Sequence, residues 1–327
     1  LAREREGRTV RREIPEVRIA AAATPATSAT PAPAAAAAAA RRVSAERFRD
    51  ALTSASTMVA PGPYNHAVQG GLVRNVWPAA GAWCGMRAVD WAGFGIAGLP
   101  ESPYDVFVGA LGATVEPEAL TAGLGREWGI ESGYHKIHAC CQYSHSAVEA
   151  TLELRPRLSD GWSPGDVERI RIETHWRGLT LDNRAPATTL AARFSMPHIA
   201  AVTGLYGHAG AEAFAASTLS DATVAALRAR VELAPFEPEL PWPNDRPARV
   251  TWRLADGTEV QTECLSARGG PDRPFTPEEI ARKIAGITAP AYPAMPAVID
   301  RLLALDPATL AERWDSLVFG MIQGAAG

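Results

Sequence analysis

Between Gly133 and His145 the chain reads Gly-Tyr-His-Lys-Ile-His-Ala-Cys-Cys-Gln-Tyr-Ser-His. Three of the seven histidines, two of the four cysteines and one of only two lysines fall in these thirteen residues. The other thirty of the 32 basic residues are arginines, so a lysine here marks a place where an ammonium was needed. An ammonium can lose its proton when desolvated, which a guanidinium does not do in a protein. An imidazole titrates near neutrality and suits proton transfer. Lys136 and His145, the latter one helical turn after Cys141, therefore mark the edge of an active site. His135, His138, Cys140, Cys141 and His145 could alternatively be metal ligands. Zinc sites, however, space their cysteines two to four apart and draw on a second ligand cluster, and neither feature is present here.

The elements that must hold this segment follow from the pattern of the chain. Ser44 is an N-cap for a helix with Phe48, Ala51 and Leu52 on one face. Small and apolar residues recur at helical spacing from Ala79 to Ala97. From about Glu127 the texture is mixed. Gln142 to Leu154 reads as a helix entered through a strand-to-helix bend, and Val167 to Trp176 as an alternating strand. Leu190 to Tyr206 reads as one helix with Pro197 near its start, and Asp221 caps another. Val250–Leu254, Asp256-Gly257 and Val260–Cys264 form a hairpin. Thr276-Pro277-Glu278-Glu279 is a capping box with proline at the first helical position.

The fold class expected is α+β: an all-helical domain, discontinuous in sequence, with an inserted α/β lid-type domain. The domains are 1–43, an unstructured Ala/Pro/Arg-rich leader; 44–126, part of the helical domain; 127–267, the α+β lid; and 268–327, C-terminal helices returning to the helical domain.

The net charge of −4 gives no electrostatic reason to bind nucleic acid or an anionic membrane. No apolar run is long enough to span a bilayer. Four irregularly spaced cysteines do not make a disulfide framework, which fits a reducing, cytoplasmic setting. The apolar faces of Val73 to Ala97 and of the C-terminal helices are expected to bury in a homodimer.

Four stretches, in order, resemble the MmgE/PrpD family, which includes 2-methylcitrate dehydratase, cis-aconitate decarboxylase and iminodisuccinate epimerase. They are Val73 to Gly98, a small-residue helix running into a Gly-rich turn; Lys136 to Leu154; Ala192-Arg193-Phe194-Ser195-Met196-Pro197-His198; and Arg268-Gly269-Gly270-Pro271 to Lys283. The resemblance covers roughly Ser44 to the C-terminus. It implies a lyase or isomerase that acts on a small di- or tricarboxylate without metal or organic cofactor, 2-methylcitrate dehydration being the default and epimerisation second. It also implies catalytic roles for Lys136 and His145, with Arg193, Ser195, His198 and Tyr143 binding substrate.

The chain departs from the family in three places. Phe194 stands where the decarboxylase branch tends to carry histidine, and Trp77 and Ala79 replace a His or Asn and a Gly. The family's upstream His-Ala-x-Asp-x-Asp-Asp type motif is not found. This leaves open a remnant, a non-catalytic binder or one half of a split enzyme, and makes the expected helical domain incomplete. Each candidate also has a plainer role. Ser195 fits a helix N-cap, Arg193 an ion pair, Cys140 and Cys141 small buried residues, and Lys283 a solvated or structural helix position.

Overall fold

The computed structural model describes residues 31–58, 62–114, 116–158 and 161–324. They fall into two compact units, Leu1–Gly129 and Ile130–Gly327.

In the first unit the helices Pro31–Ala40, Ala45–Thr57 and Trp77–Ala92 pack on one another. Ala34, Ala38, Ala51, Ala55, Ala88 and Ala92 are buried where they meet. Alanine has the highest helix propensity and the least bulk, so an alanine tract can both form a helix and admit close neighbours. Residues 31–42, expected within an unstructured leader, are thus helix and turn; the remainder of that expectation lies outside the described residues. Ser44 caps the second helix by accepting from the Arg47 N–H. The third helix stops at Ala92, short of the expected Ala97, and Gly95 beyond it has φ +77°.

The second unit is built on four strands, β1 (Val167–Thr174), β2 (Val231–Pro235), β3 (Ala248–Leu254) and β4 (Glu259–Cys264), in the order β2-β1-β3-β4. β1 pairs parallel with β2 and antiparallel with β3, and β3–β4 is the expected hairpin. With its helices this mixed sheet makes the chain α+β. β2 went unread because it is short and reaches β1 by a crossover, without a hairpin turn to announce it.

Val167, Ile170, Ile172, Val250 and Trp252 are buried, and the helices His145–Leu154 and Met196–Tyr206 lie against the sheet strands. A Cβ on Gly204 would meet the fully buried Trp252 ring at 2.2 Å, so the closeness of helix and sheet depends on that glycine. The helix expected over Leu190 to Tyr206 is two helices, Thr189–Ala192 and Met196–Tyr206, because the Ser195 side chain caps the second by accepting from the His198 N–H. Met295–Leu303 and Trp314–Ile322 share a small cluster of Val298, Leu317 and Met321. No helix among the described residues is long and apolar enough to cross a membrane.

Candidate active site

The segment Gly133–Ile137 belongs to no strand or helix, so the expected strand-to-helix bend is an irregular segment entering a helix. Backbone bonds from distant parts of the unit hold it. His135 N–H donates to the Gly269 carbonyl at 2.8 Å, Ala139 N–H to Ala209 at 2.8 Å and Cys141 N–H to Arg193 at 2.8 Å. Gly269 sits at φ +114°, and a Cβ there would lie 2.1 Å from the His135 carbonyl oxygen. Glycine is therefore required for the chain to pass so close. A short 3₁₀ turn, Gln142–Ser144, then leads into the helix His145–Leu154.

Arg268 ties the pieces together. Its N–H donates to Glu149 on the His145–Leu154 helix at 2.9 Å, and its carbonyl accepts from the Tyr134 hydroxyl at 2.8 Å. Its guanidinium pairs with Glu279 and stacks on Phe275. Glu279 belongs to the capping box of the helix Pro277–Thr288, which carries Lys283.

His145 is 1% exposed and is the hub of the site. Its ring stands edge-on to His138, with centroids 5.1 Å apart, and its Nδ1 lies 3.2 Å from the Tyr134 hydroxyl. Nε2 of His145 and Nε2 of His138 are both buried without a hydrogen-bond partner. Two such orphans side by side are unusual in a folded interior and fit a place kept for a ligand. Burial, then His138 and Lys136, hold the His145 imidazole well below its ordinary proton affinity, while a hydrogen bond with the Cys140 backbone acts the other way and Lys283 lowers it further. His138 is brought down to about 4 by burial and by Lys283. Lys283 is itself lowered, by burial first and then by Lys136. Lys136 is exposed. Both lysines of an arginine-rich chain thus bear on one pair of neutral imidazoles. Burial raises the Tyr134 phenol and pushes the Cys140 thiol up to about 12, so neither ionises at neutral pH.

Of the other expected residues, Ser195 and His198 have their polar groups engaged elsewhere. Ser195 is fully buried, and its hydroxyl both accepts from His198 N–H and donates to the Asn183 carbonyl. It is the helix cap that its spacing allowed. His198 is fully buried, with Arg228 donating to Nδ1 at 3.2 Å and Nε2 facing the Thr218 hydroxyl at 3.4 Å, so both ring nitrogens are engaged. Tyr143 packs edge-on against His175, beside Arg177. Arg193 is partly buried, its carbonyl accepting from Cys141 N–H and its Nε buried without a partner. Conversely, His138, Lys283 and Tyr134 belong to the cluster although they were not singled out for it. The signals available for Lys283 were the rarity of lysine and its place at the end of the fourth family-like stretch. Among the described residues no three His, Cys, Asp or Glu side chains are grouped as metal ligands would be.

Comparison with known proteins meets this geometry. Residues 138–305, just over half of the chain, match the model of the MmgE/PrpD C-terminal domain. The chain belongs to the MmgE/PrpD family. It is 25% identical over 183 residues to the cis-aconitate decarboxylase-like protein oryM of Aspergillus oryzae. That match takes in 51% of this chain and 36% of the relative, so the chain spans about a third of that protein's length.

Proposed function

We propose that this chain carries the proton-transfer site of a lyase acting on a small di- or tricarboxylate, with dehydration of a 2-methylcitrate-like hydroxy acid as the reaction and epimerisation as the second choice. In this reading residues 127–267 are the family's lid-type domain. The observation that carries the proposal is the His138–His145 pair, rings 5.1 Å apart and each with a buried Nε2 that has no hydrogen-bond partner, on which the charges of Lys136 and Lys283 act.

A proton next to a carboxylate is only weakly acidic, because its removal piles negative charge onto an anion. Fixed cations offset that charge, and a base must stand within reach. The two lysines supply the charge. His145 Nε2, buried and unpartnered, supplies the lone pair. The C–H electrons become the new double bond, the proton moves to Nε2, and the β-hydroxyl departs as water with a proton from the Lys136 ammonium. Burial and neighbouring charges make the imidazole a weak base. A bound polyanion reverses the sign of its surroundings and raises its proton affinity towards the working range.

The test is an assay of the purified chain against 2-methylcitrate, cis-aconitate and iminodisuccinate. Loss of water from 2-methylcitrate is expected. Turnover of cis-aconitate alone, with release of CO2, would replace dehydration by decarboxylation, and no turnover of any of the three would remove the enzymatic reading.

A further inference from the structure

We infer that Tyr134 is a positioning residue that fixes which nitrogen of His145 carries the proton, an inference that rests on the proton-transfer role of His145 proposed above. A phenol has one hydrogen to give. That of Tyr134 is directed to the Arg268 carbonyl at 2.8 Å. At the contact between Tyr134 Oη and His145 Nδ1, 3.2 Å long, the phenol oxygen can therefore only accept, and the imidazole must donate. A neutral imidazole carries a single N–H, and burial among cations keeps this one neutral. With the hydrogen on Nδ1, the lone pair is on Nε2, the buried nitrogen left without a partner next to His138.

The order of the chain Arg268 carbonyl, Tyr134 hydroxyl, His145 imidazole sets the direction of every hydrogen in it. Its anchor is firm. The Arg268 peptide is also held through its own N–H by Glu149, and the neighbouring Gly269 carbonyl accepts from His135 N–H. The phenol's proton affinity is raised by burial, so it does not ionise and turn into a charged acceptor. Second-sphere groups commonly set the tautomer of a working histidine, and here the setter stands eleven residues before the residue it sets. Remove the hydroxyl and the Nδ1 proton loses this acceptor. With only the Cys140 carbonyl left to draw it, the proton moves more readily to Nε2, which blocks the base.

The test is ¹⁵N–¹H correlation spectroscopy of the full chain with labelled histidine, in the wild type and in Tyr134→Phe, alongside steady-state kinetics of both. In the wild type, His145 should show a protonated Nδ1 and an unprotonated Nε2. In Tyr134→Phe, the Nε2-protonated form should grow to a substantial share, and kcat should fall about tenfold or more with KM little changed.

A wild-type His145 protonated at Nε2 overturns the inference without any variant having to fold. So does a Tyr134→Phe protein whose His145 keeps its Nδ1 proton, held by another acceptor such as the Cys140 carbonyl. A tautomer shift with kcat unchanged would uphold the positioning and sink instead the use of His145 as the base, so the two failures are told apart.

Discussion

His145→Gln should lower kcat by about a hundredfold or more, the usual scale for removing a positioned proton-transfer group, while KM changes little. The argument is local. His145 is the buried imidazole whose Nε2 has no hydrogen-bond partner, and the charges of Lys136 and Lys283 act on it. Glutamine keeps a polar group of similar reach but offers no basic lone pair near neutrality. Lys136 provides the control, since it is exposed and its replacement does not disturb a core. Lys136→Ala should lose about as much turnover if the ammonium delivers the proton to the leaving hydroxyl, and Lys136→Arg should fail to restore it, because a guanidinium holds its proton too tightly. Unchanged kcat in His145→Gln, with circular dichroism confirming the fold, would dismiss the imidazole as base. Full rescue by arginine would reduce Lys136 to an electrostatic role.

The second unit should lose stability steeply between pH 6.5 and 4, above the range where most carboxylates titrate. His175 and His198 are 8% and 0% exposed, and burial brings each from 6.5 down to about 4. His138 is likewise lowered to about 4, and burial holds His145 well below its ordinary value. The sign is fixed by linkage. A group whose folded value lies below its unfolded value leaves the unfolded chain binding more protons in between, so stability is intact above about 6.5 and falls as pH drops towards about 4. For His175 and His198 the shift corresponds to at most about 3 kcal/mol each, against a total for a folded domain of about 5–15 kcal/mol. Urea titrations followed by tryptophan fluorescence at pH 7.5, 6.5, 5.5 and 4.5 would measure it. The midpoint should fall at each step below 6.5, and a midpoint constant from 7.5 to 5 would contradict the burial of these rings as neutral groups.

What the sequence revealed and what it hid divide along the range of the interactions. Ser44, Asp221, the Asp256-Gly257 turn and the Thr276 capping box act within three or four residues, and each is where its local chemistry puts it. Ser195 was legible twice over, as cap and as substrate ligand, and the local role claimed its hydroxyl. The partners of His198, Thr218 and Arg228, stand twenty and thirty residues away, and no spacing rule reports them. The same limit hid Lys283. On its own helix it is one polar residue among others, and only tertiary packing half-buries it and brings its charge to bear on Lys136 and His138. The alanine tract ending at Ala40 was read by composition as a leader, although its helix propensity and small size also suit packing between helices.

The central claim is that the two lysines and the His138–His145 pair make a seat for a polycarboxylate. Calorimetric titration of propane-1,2,3-tricarboxylate into the wild type and into Lys283→Ala tests it most directly, since that ligand has the charges of the substrate and no hydroxyl to lose. Saturable binding by the wild type is predicted, with Kd raised about tenfold or more in the variant, the scale of one lost charge-assisted hydrogen bond. No binding by the wild type, or the same Kd for both proteins, would contradict it.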